Sequence, residues 1–582
     1  MPAIPIIILL PLMLSLVLYF FPARQGRTIK LIPVITSLIT LAGIFYVLND
    51  QALTWRLFLS PHYPALLHSI SHYLGFTTEG ASGVMLLFFG ILMVVLAFDA
   101  TVSKNWSPGS DRFFVWFLFS AGLGFAILTS VHLYTLVFLW GVSAIPFYLL
   151  ASGFEEESAG MGKKTMILFG ASHGFMAIGA VMAVSLGGSA NITVLQLETT
   201  TPYTTVSFLF LLAGGFAAAG IFPIHSWVTP YARFANGQSF ALMPLVFQRF
   251  AGTYLLIRLC HDLFILSETM RVILFSFGFF SSILALLLTF AGSQTKSKLG
   301  NLHLALGGMV LAGIATGTQA GLASALIYVL AGGAAMIPFF IVPAREITNL
   351  SQSGQASQSL TDFDKEKKYR RKFFLSLILS GVPPFGIFAA NILLFRGLWE
   401  YAYTTGTTGG AAFLWVLPAI MVAAGVFVSA LGLEKTDQEE TVPDSPEGQS
   451  RGRLSFQIMF APIMVAILSG FLLFPPVNQW VFSFTGAEIF VTWESRYILR
   501  AGGSFLLSLG LGGMLYQLWP FRNQRLLSAL NRLEESGNTD IYQVFSRVVF
   551  AINRPLSRIH DGVLQTYLVW VVITIILLLW LK

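Results

Sequence analysis

Apolar runs about twenty residues long, parted by short polar stretches, follow one another along almost the whole chain. A helix that crosses a bilayer needs ~20 mostly apolar residues. Sixteen segments meet that need: 4–21, 31–48, 82–98, 113–130, 132–153, 165–187, 206–225, 240–257, 272–293, 299–317, 322–342, 373–396, 411–432, 457–474, 499–519 and 562–581. The first lacks a basic leader and is followed at once by further runs, so it reads as a span rather than a signal peptide. One segment has a different pattern. In 520–561, Leu526, Leu527, Leu530, Leu533, Tyr542, Val544, Phe545 and Val548 are interleaved with Arg525, Arg532, Arg547 and Arg554. That is the pattern of one or two amphipathic helices lying along an interface.

The expected fold is therefore an all-α integral membrane protein of about sixteen transmembrane helices. Its blocks are residues 1–112 (three spans), 113–258 and 259–433 (five spans each), 434–519 (two spans), the lateral amphipathic segment 520–561 and the anchor helix 562–582. Charge tests the count. With the N-terminus outside, 26 of the 34 Lys and Arg residues fall in cytoplasmic loops and seven outside, leaving Arg249 within a span. Excess basic charge marks the cytoplasmic side, so both termini are expected outside and the lateral segment on the cytoplasmic face of a prokaryotic cell membrane. Composition agrees: 55% hydrophobic and 10% charged, against about 25% charged in soluble domains. The net charge of +7 sits in loops between spans and is no nucleic-acid signal. The single cysteine, Cys260, excludes a disulfide framework or a cysteine-held metal centre within this chain.

Two spans are interrupted. In 211–227, LLAGGFAAAGIFPIHSW, a helix rich in Gly and Ala meets Pro223, then His225 and Trp227. In 380–391, SGVPPFGIFAAN, Pro383 and Pro384 do the same. Proline removes a backbone donor and breaks a helix, which a bilayer tolerates only where the break faces protein or a wet cavity. Paired interruptions in two halves of a chain point to a transport path built from inverted repeats.

These residues resemble a known family. WGVSAIPFYLL at 140–150, the Pro-x-His-x-Trp ending at 223–227, the start of the tenth span at 296–308 and SGVPPFGIFAAN at 380–391 are similar to stretches of the antiporter-like membrane subunits of respiratory complex I, shared with multisubunit cation/proton antiporters and membrane-bound hydrogenases. The last sixty residues resemble a shortened lateral helix and anchor. The resemblance implies two inverted five-helix repeats and a line of buried charges along which protons cross, beginning with a Glu on the fifth helix and a Lys on the seventh. Here the Glu position is Gly141 and the Lys position Ala218. The later charged positions are Met336, preceded by Gly332 and Tyr328 where the family has histidines, and Asn391; near Phe250 only Arg249 is basic.

An ion pair is costly to bury, and losing one member is worse than losing both. Loss of both suits a subunit that no longer conducts by the usual route. The polar residues left as candidates for another path are His225, His173, His303, Arg249 and Gln248. A histidine changes charge near neutral pH; alternatively, each satisfies a backbone group. The leading expectation is a structural or coupling subunit, bound to other membrane subunits through the lateral helix and only indirectly to peripheral redox subunits, with no cofactor of its own. The alternatives are a translocator with a rerouted histidine path, and the membrane subunit of an inorganic-carbon uptake complex.

Overall fold

In lipid there is no hydrophobic drive between helices, so contact comes from close packing and from satisfied polar groups. The computed structural model shows where this chain finds both. It describes residues 3–20, 27–49, 54–56, 74–102, 111–152, 156–235, 237–292, 294–351, 362–406, 412–433, 452–487, 489, 491 and 494–518. The expected lateral segment and anchor, 520–582, lie outside the described residues.

The helices are α1 (Ala3–Phe20), α2 (Arg27–Asn49), α3 (Ala81–Val102), α4 (Asp111–Thr129), α5 (Leu133–Ser152), α6 (Glu156–Gly187), α7 (Pro202–Ala219) and the short α8 (Val228–Phe234). They continue as α9 (Gly237–Leu263), α10 (Glu268–Ala291), α11 (Thr295–Ala315), α12 (Gln319–Ser351), α13 (Asp362–Leu379) and α14 (Gly386–Thr404). The last described are α15 (Phe413–Gly432), α16 (Gly452–Leu468), α17 (Pro475–Phe484) and α18 (Ser495–Leu518). Two small ribbons tie loop segments: Thr54–Arg56 pairs antiparallel with Gly75–Thr77, and Leu197–Glu198 parallel with Phe264–Ile265.

Twelve described helices are long and apolar enough to cross a membrane, or thirteen if the segments 460–473 and 475–484, bent by 106°, count as one span. Ile4–Phe20 is apolar but shorter. The expected span at 373–396 is two helices, α13 and α14, parted by a break.

Burial divides the bundle. The apolar cores of α9, α11 and the 319–340 part of α12 are wholly buried, whereas less than half of the corresponding stretch is buried in α6 and in α18. The three buried helices form the centre; α10 packs on α11 and α14 on α12, while α6 pairs with α7. One close crossing joins α10 to α11. A Cβ on Gly278 would stand 2.8 Å from the Gly308 carbonyl oxygen, and one on Gly308 would meet the Gly278 carbonyl. Absent side chains let the backbones touch, and the Ser282 hydroxyl donates across the seam to the Ala305 carbonyl at 2.8 Å.

Two details differ from the sequence reading. α9 runs on to Leu263 through two π-helical stretches, Ala241–Gln248 and Arg258–Leu263. Arg258, expected in an external loop, is therefore inside a span and only 5% exposed. Lys298, assigned to a cytoplasmic loop, is likewise buried in α11. Arg249 is thus not the only basic residue held within helical spans. Arg258 is fully engaged: it donates to Tyr254 Oη (3.0 Å), Asp262 Oδ2 (2.5 Å) and Ser82 Oγ (2.7 Å).

Candidate functional site

The first break forms where α7 runs out of helix-compatible residues. α7 ends at Ala219, and Gly220 adopts φ 70°, a left-handed cap that Gly takes without a Cβ clash. The Phe222–Pro223 peptide is cis. The open backbone groups are satisfied within the protein. Trp227 Nε1 donates to the Ala217 carbonyl at 2.9 Å, and Ser281 Oγ accepts from Phe222 N at 3.2 Å. The second break has the same parts: Gly381 at φ 78° and a cis Pro383–Pro384 peptide. Both interruptions read from Pro223, Pro383 and Pro384 are thus real helix ends, each entered through a left-handed glycine.

The positions where the family resemblance places charges are filled with close packing. Gly141 on α5 faces His173 on α6: a Cβ at Gly141 would stand 2.7 Å from Cε1 and 2.8 Å from Nε2 of the imidazole. The His173 ring therefore occupies the space a larger residue at 141 would enter. Its Nε2 is hydrogen bonded to the Val137 carbonyl at 3.0 Å. Ala218 on α7 is fully buried against α9, where a Cβ on Gly252 would stand 3.0 Å from the Ala218 Cβ and 2.6 Å from Ala219 N. No channel for a lysine side chain separates those backbones. Met336 is fully buried on α12.

Asn391 on α14 is buried and accepts a 2.5 Å hydrogen bond from the Tyr328 hydroxyl of α12. A neutral pair thus joins two helices where the family pattern has titratable groups. Sequence reading placed both residues at family positions but did not pair them. A hydroxyl and an amide placed sixty-three residues apart carry no mutual signal along the chain.

On the other side of the first break, aromatic rings pack on one another. Phe147 stacks on Tyr231 at 5.4 Å and meets Trp227 edge-on at 5.0 Å; Phe169 meets Trp227 at 5.4 Å. Tyr231 adjoins Phe240, which stacks on Phe340 at 4.1 Å and lies 6.3 Å from the His303 ring. His225 is buried with its ring 5.6 Å from that of Phe222. His173 thus meets Val137 and Gly141, His225 meets Phe222, and His303 meets Phe240 and Arg249.

Arg249, 3% exposed, donates through Nη2 to the His303 backbone carbonyl. It also abuts Gly307, where a Cβ would collide with Nη1 and stand 3.1 Å from the Ala219 carbonyl oxygen. Gln248 is buried beside it in sequence, with Nε2 unpartnered in the protein. Arg249 lies midway along α9, next to the π-helical stretch that ends at Gln248. Extra-residue turns of this kind are frequent at functional sites. Among the described residues no group of three or more metal-ligating side chains is assembled.

Residues 130–414 match the family described as "NADH:quinone oxidoreductase/Mrp antiporter, TM". The chain is similar to NAD(P)H-quinone oxidoreductase chain 4 2 of Trichodesmium erythraeum, 25% identical over 361 residues, 58% of this chain and 61% of that one. It is also similar to chain 4 1 of the same oxidoreductase from Synechococcus elongatus, 26% identical over 423 residues, 69% of this chain and 75% of that one. The first match therefore spans under two thirds of its relative. Among solved structures, the Mrp complex from Dietzia sp. DQ12-45-1b contains a chain that superimposes with a TM-score of 0.74, at 15% identity, covering 98% of this chain and 62% of that one. At that identity the likeness is one of fold.

Proposed function

We propose that the chain is an antiporter-like membrane subunit of the kind found in NADH:quinone oxidoreductases and Mrp antiporters, a member whose conducting axis is closed. It serves as a structural or coupling membrane subunit of a multisubunit, energy-converting complex of the complex I or membrane-hydrogenase type. One observation carries this reading: the sites of the family's first ion pair are sealed by packing, Gly141 under the His173 ring and Ala218 against the backbone of α9 at Gly252. The aromatic wall from Phe169 to Phe340 supports it. A desolvated charge in a bilayer needs a partner or a wet cavity, and a glycine and an alanine supply neither.

In this role the chain has sixteen spans arranged as two inverted five-helix repeats, each containing one of the glycine–proline breaks. Both termini face outward. The segment 520–561 lies along the cytoplasmic surface and holds a neighbouring antiporter-like subunit, and the electron-transfer chemistry belongs to other chains.

The test is proton flux through the full chain in sealed vesicles under an imposed pH gradient. The expected flux equals that of protein-free vesicles, and His225→Ala leaves it there. Saturable flux in the wild type that His225→Ala abolishes would establish the rerouted histidine path instead.

A further inference from the structure

A closed scaffold has no evident need for a permanent charge at its centre, yet Arg249 sits there. Arg258–Asp262, Arg396–Glu400 and Arg496–Glu494 are ion pairs of the bundle; Arg249 has no carboxylate partner among the described residues. Its Nη2 is taken by the His303 carbonyl, and its Nη1 has no hydrogen-bond acceptor in the protein. Gly307 leaves the space for the guanidinium: a Cβ there would collide with Nη1 and stand 3.1 Å from the Ala219 carbonyl oxygen, at the final turn of α7. The guanidinium is thus held by the His303 carbonyl rather than by a carboxylate.

The consequences for a passing ion differ from those of a lysine. A guanidinium keeps its proton and has no acceptor lone pair, so it neither gives up nor receives a proton in a relay. Nor does a nearby carboxylate neutralise its field. A unit charge held ~6 Å from a second cation, at an effective dielectric of ~20, lowers that cation's occupancy by roughly a hundredfold. The groups nearby are ones that would otherwise help water and protons through. His303 Nε2 and Gln248 Nε2 are buried without partners, and the break itself interrupts a spanning helix.

We propose that Arg249 is a fixed-charge barrier: held by the His303 carbonyl and lodged in the space that Gly307 leaves near the end of the broken helix α7, it prevents protons and cations from crossing at the break. This rests on the closed-axis reading, and it assigns the seal to a charge as well as to packing. The same geometry explains why the residue at 307 is glycine, since any Cβ there displaces the guanidinium.

The experiment uses the full chain in sealed vesicles, with proton flux and retention of an entrapped dye read together. Arg249→Gln removes the charge but keeps hydrogen-bonding groups, and Arg249→Met removes both. Gly252→Ala strains the packing of α9 on Ala218 and Ala219 but leaves the guanidinium its space. The barrier predicts that Arg249→Gln raises proton flux about tenfold or more while the dye is retained, and that Gly252→Ala does not. Flux unchanged from wild type in both Arg249 variants overturns the proposal, as does an equal leak through Gly252→Ala, which would make packing alone the seal. Wild-type flux above that of protein-free vesicles would refute the closed-axis reading, whereas the response of the Arg249 variants decides the barrier separately.

Discussion

At the residue scale, the buried polar groups divide into those that are satisfied and those that are left charged. Tyr328 and Asn391 are the clearest satisfied pair. Removing one member of a buried hydrogen bond costs about 1–3 kcal/mol, while replacing both with apolar groups is nearly neutral. Tyr328→Phe is therefore expected to lower the thermal midpoint in detergent by several degrees, and Tyr328→Phe with Asn391→Leu to recover most of the loss. A midpoint indifferent to the single change would show that the pair does not tie α12 to α14. Arg258 is a charge of the opposite kind to Arg249, since it has three side-chain partners. Its Asp262 is a third exposed, so solvent screens the pair. Arg258→Met should then cost about 2 kcal/mol, below the ~3–5 kcal/mol of a fully buried pair broken on one side. Denaturant or heat titration of the variant in detergent checks this.

At the element scale, close backbone approach stands in for the hydrophobic effect that holds soluble helices together. The α10–α11 seam depends on Gly278 and Gly308, whose Cβ positions fall on each other's carbonyls. Gly308→Val must push the helices apart, and overpacking of this kind costs about 1–3 kcal/mol or more when backbone is the obstacle. The expected result is a lower yield of folded protein and a depressed thermal midpoint, whereas a conservative change on the exposed face of α6, such as Ile178→Leu, should leave both unchanged. The helix breaks were legible from sequence because proline and glycine impose local backbone geometry whatever surrounds them. The satisfaction of each break was not legible: Ser281 and Trp227 serve the first from another helix and from the turn itself.

At the scale of the whole molecule, the bias of the basic residues predicts which side of the membrane each loop faces. The sole cysteine, Cys260, is buried, which gives a low background for labelling. A cysteine placed at Lys163 or at Glu79, both exposed, should react with a membrane-impermeant maleimide from opposite faces: Lys163→Cys from the cytoplasmic side and Glu79→Cys from outside. Reaction of both from the same side would overturn the expected topology. The charge distribution gives a side to each loop but does not fix where a helix ends. Arg258 counted as a loop residue because apolar periodicity fades there, yet α9 continues through a π-helical stretch and buries it against partners from α3.

The sequence by itself determined the class of the protein, the approximate position of its spans and both helix breaks, because bilayer thickness, basic-residue bias and proline are local constraints that act on contiguous residues. It also determined that the expected charges at 141, 218, 336 and 391 are absent. Only the tertiary structure decided what fills those places. A missing charge leaves either a wet cavity or a packed contact, and the choice belongs to the neighbours: His173 beside Gly141, Gly252 beside Ala218, Tyr328 on Asn391. The same is true of Arg249. That it is charged follows from its identity, but that it is buried on the His303 carbonyl and against Gly307, with no carboxylate partner among the described residues, follows from packing between helices distant in sequence.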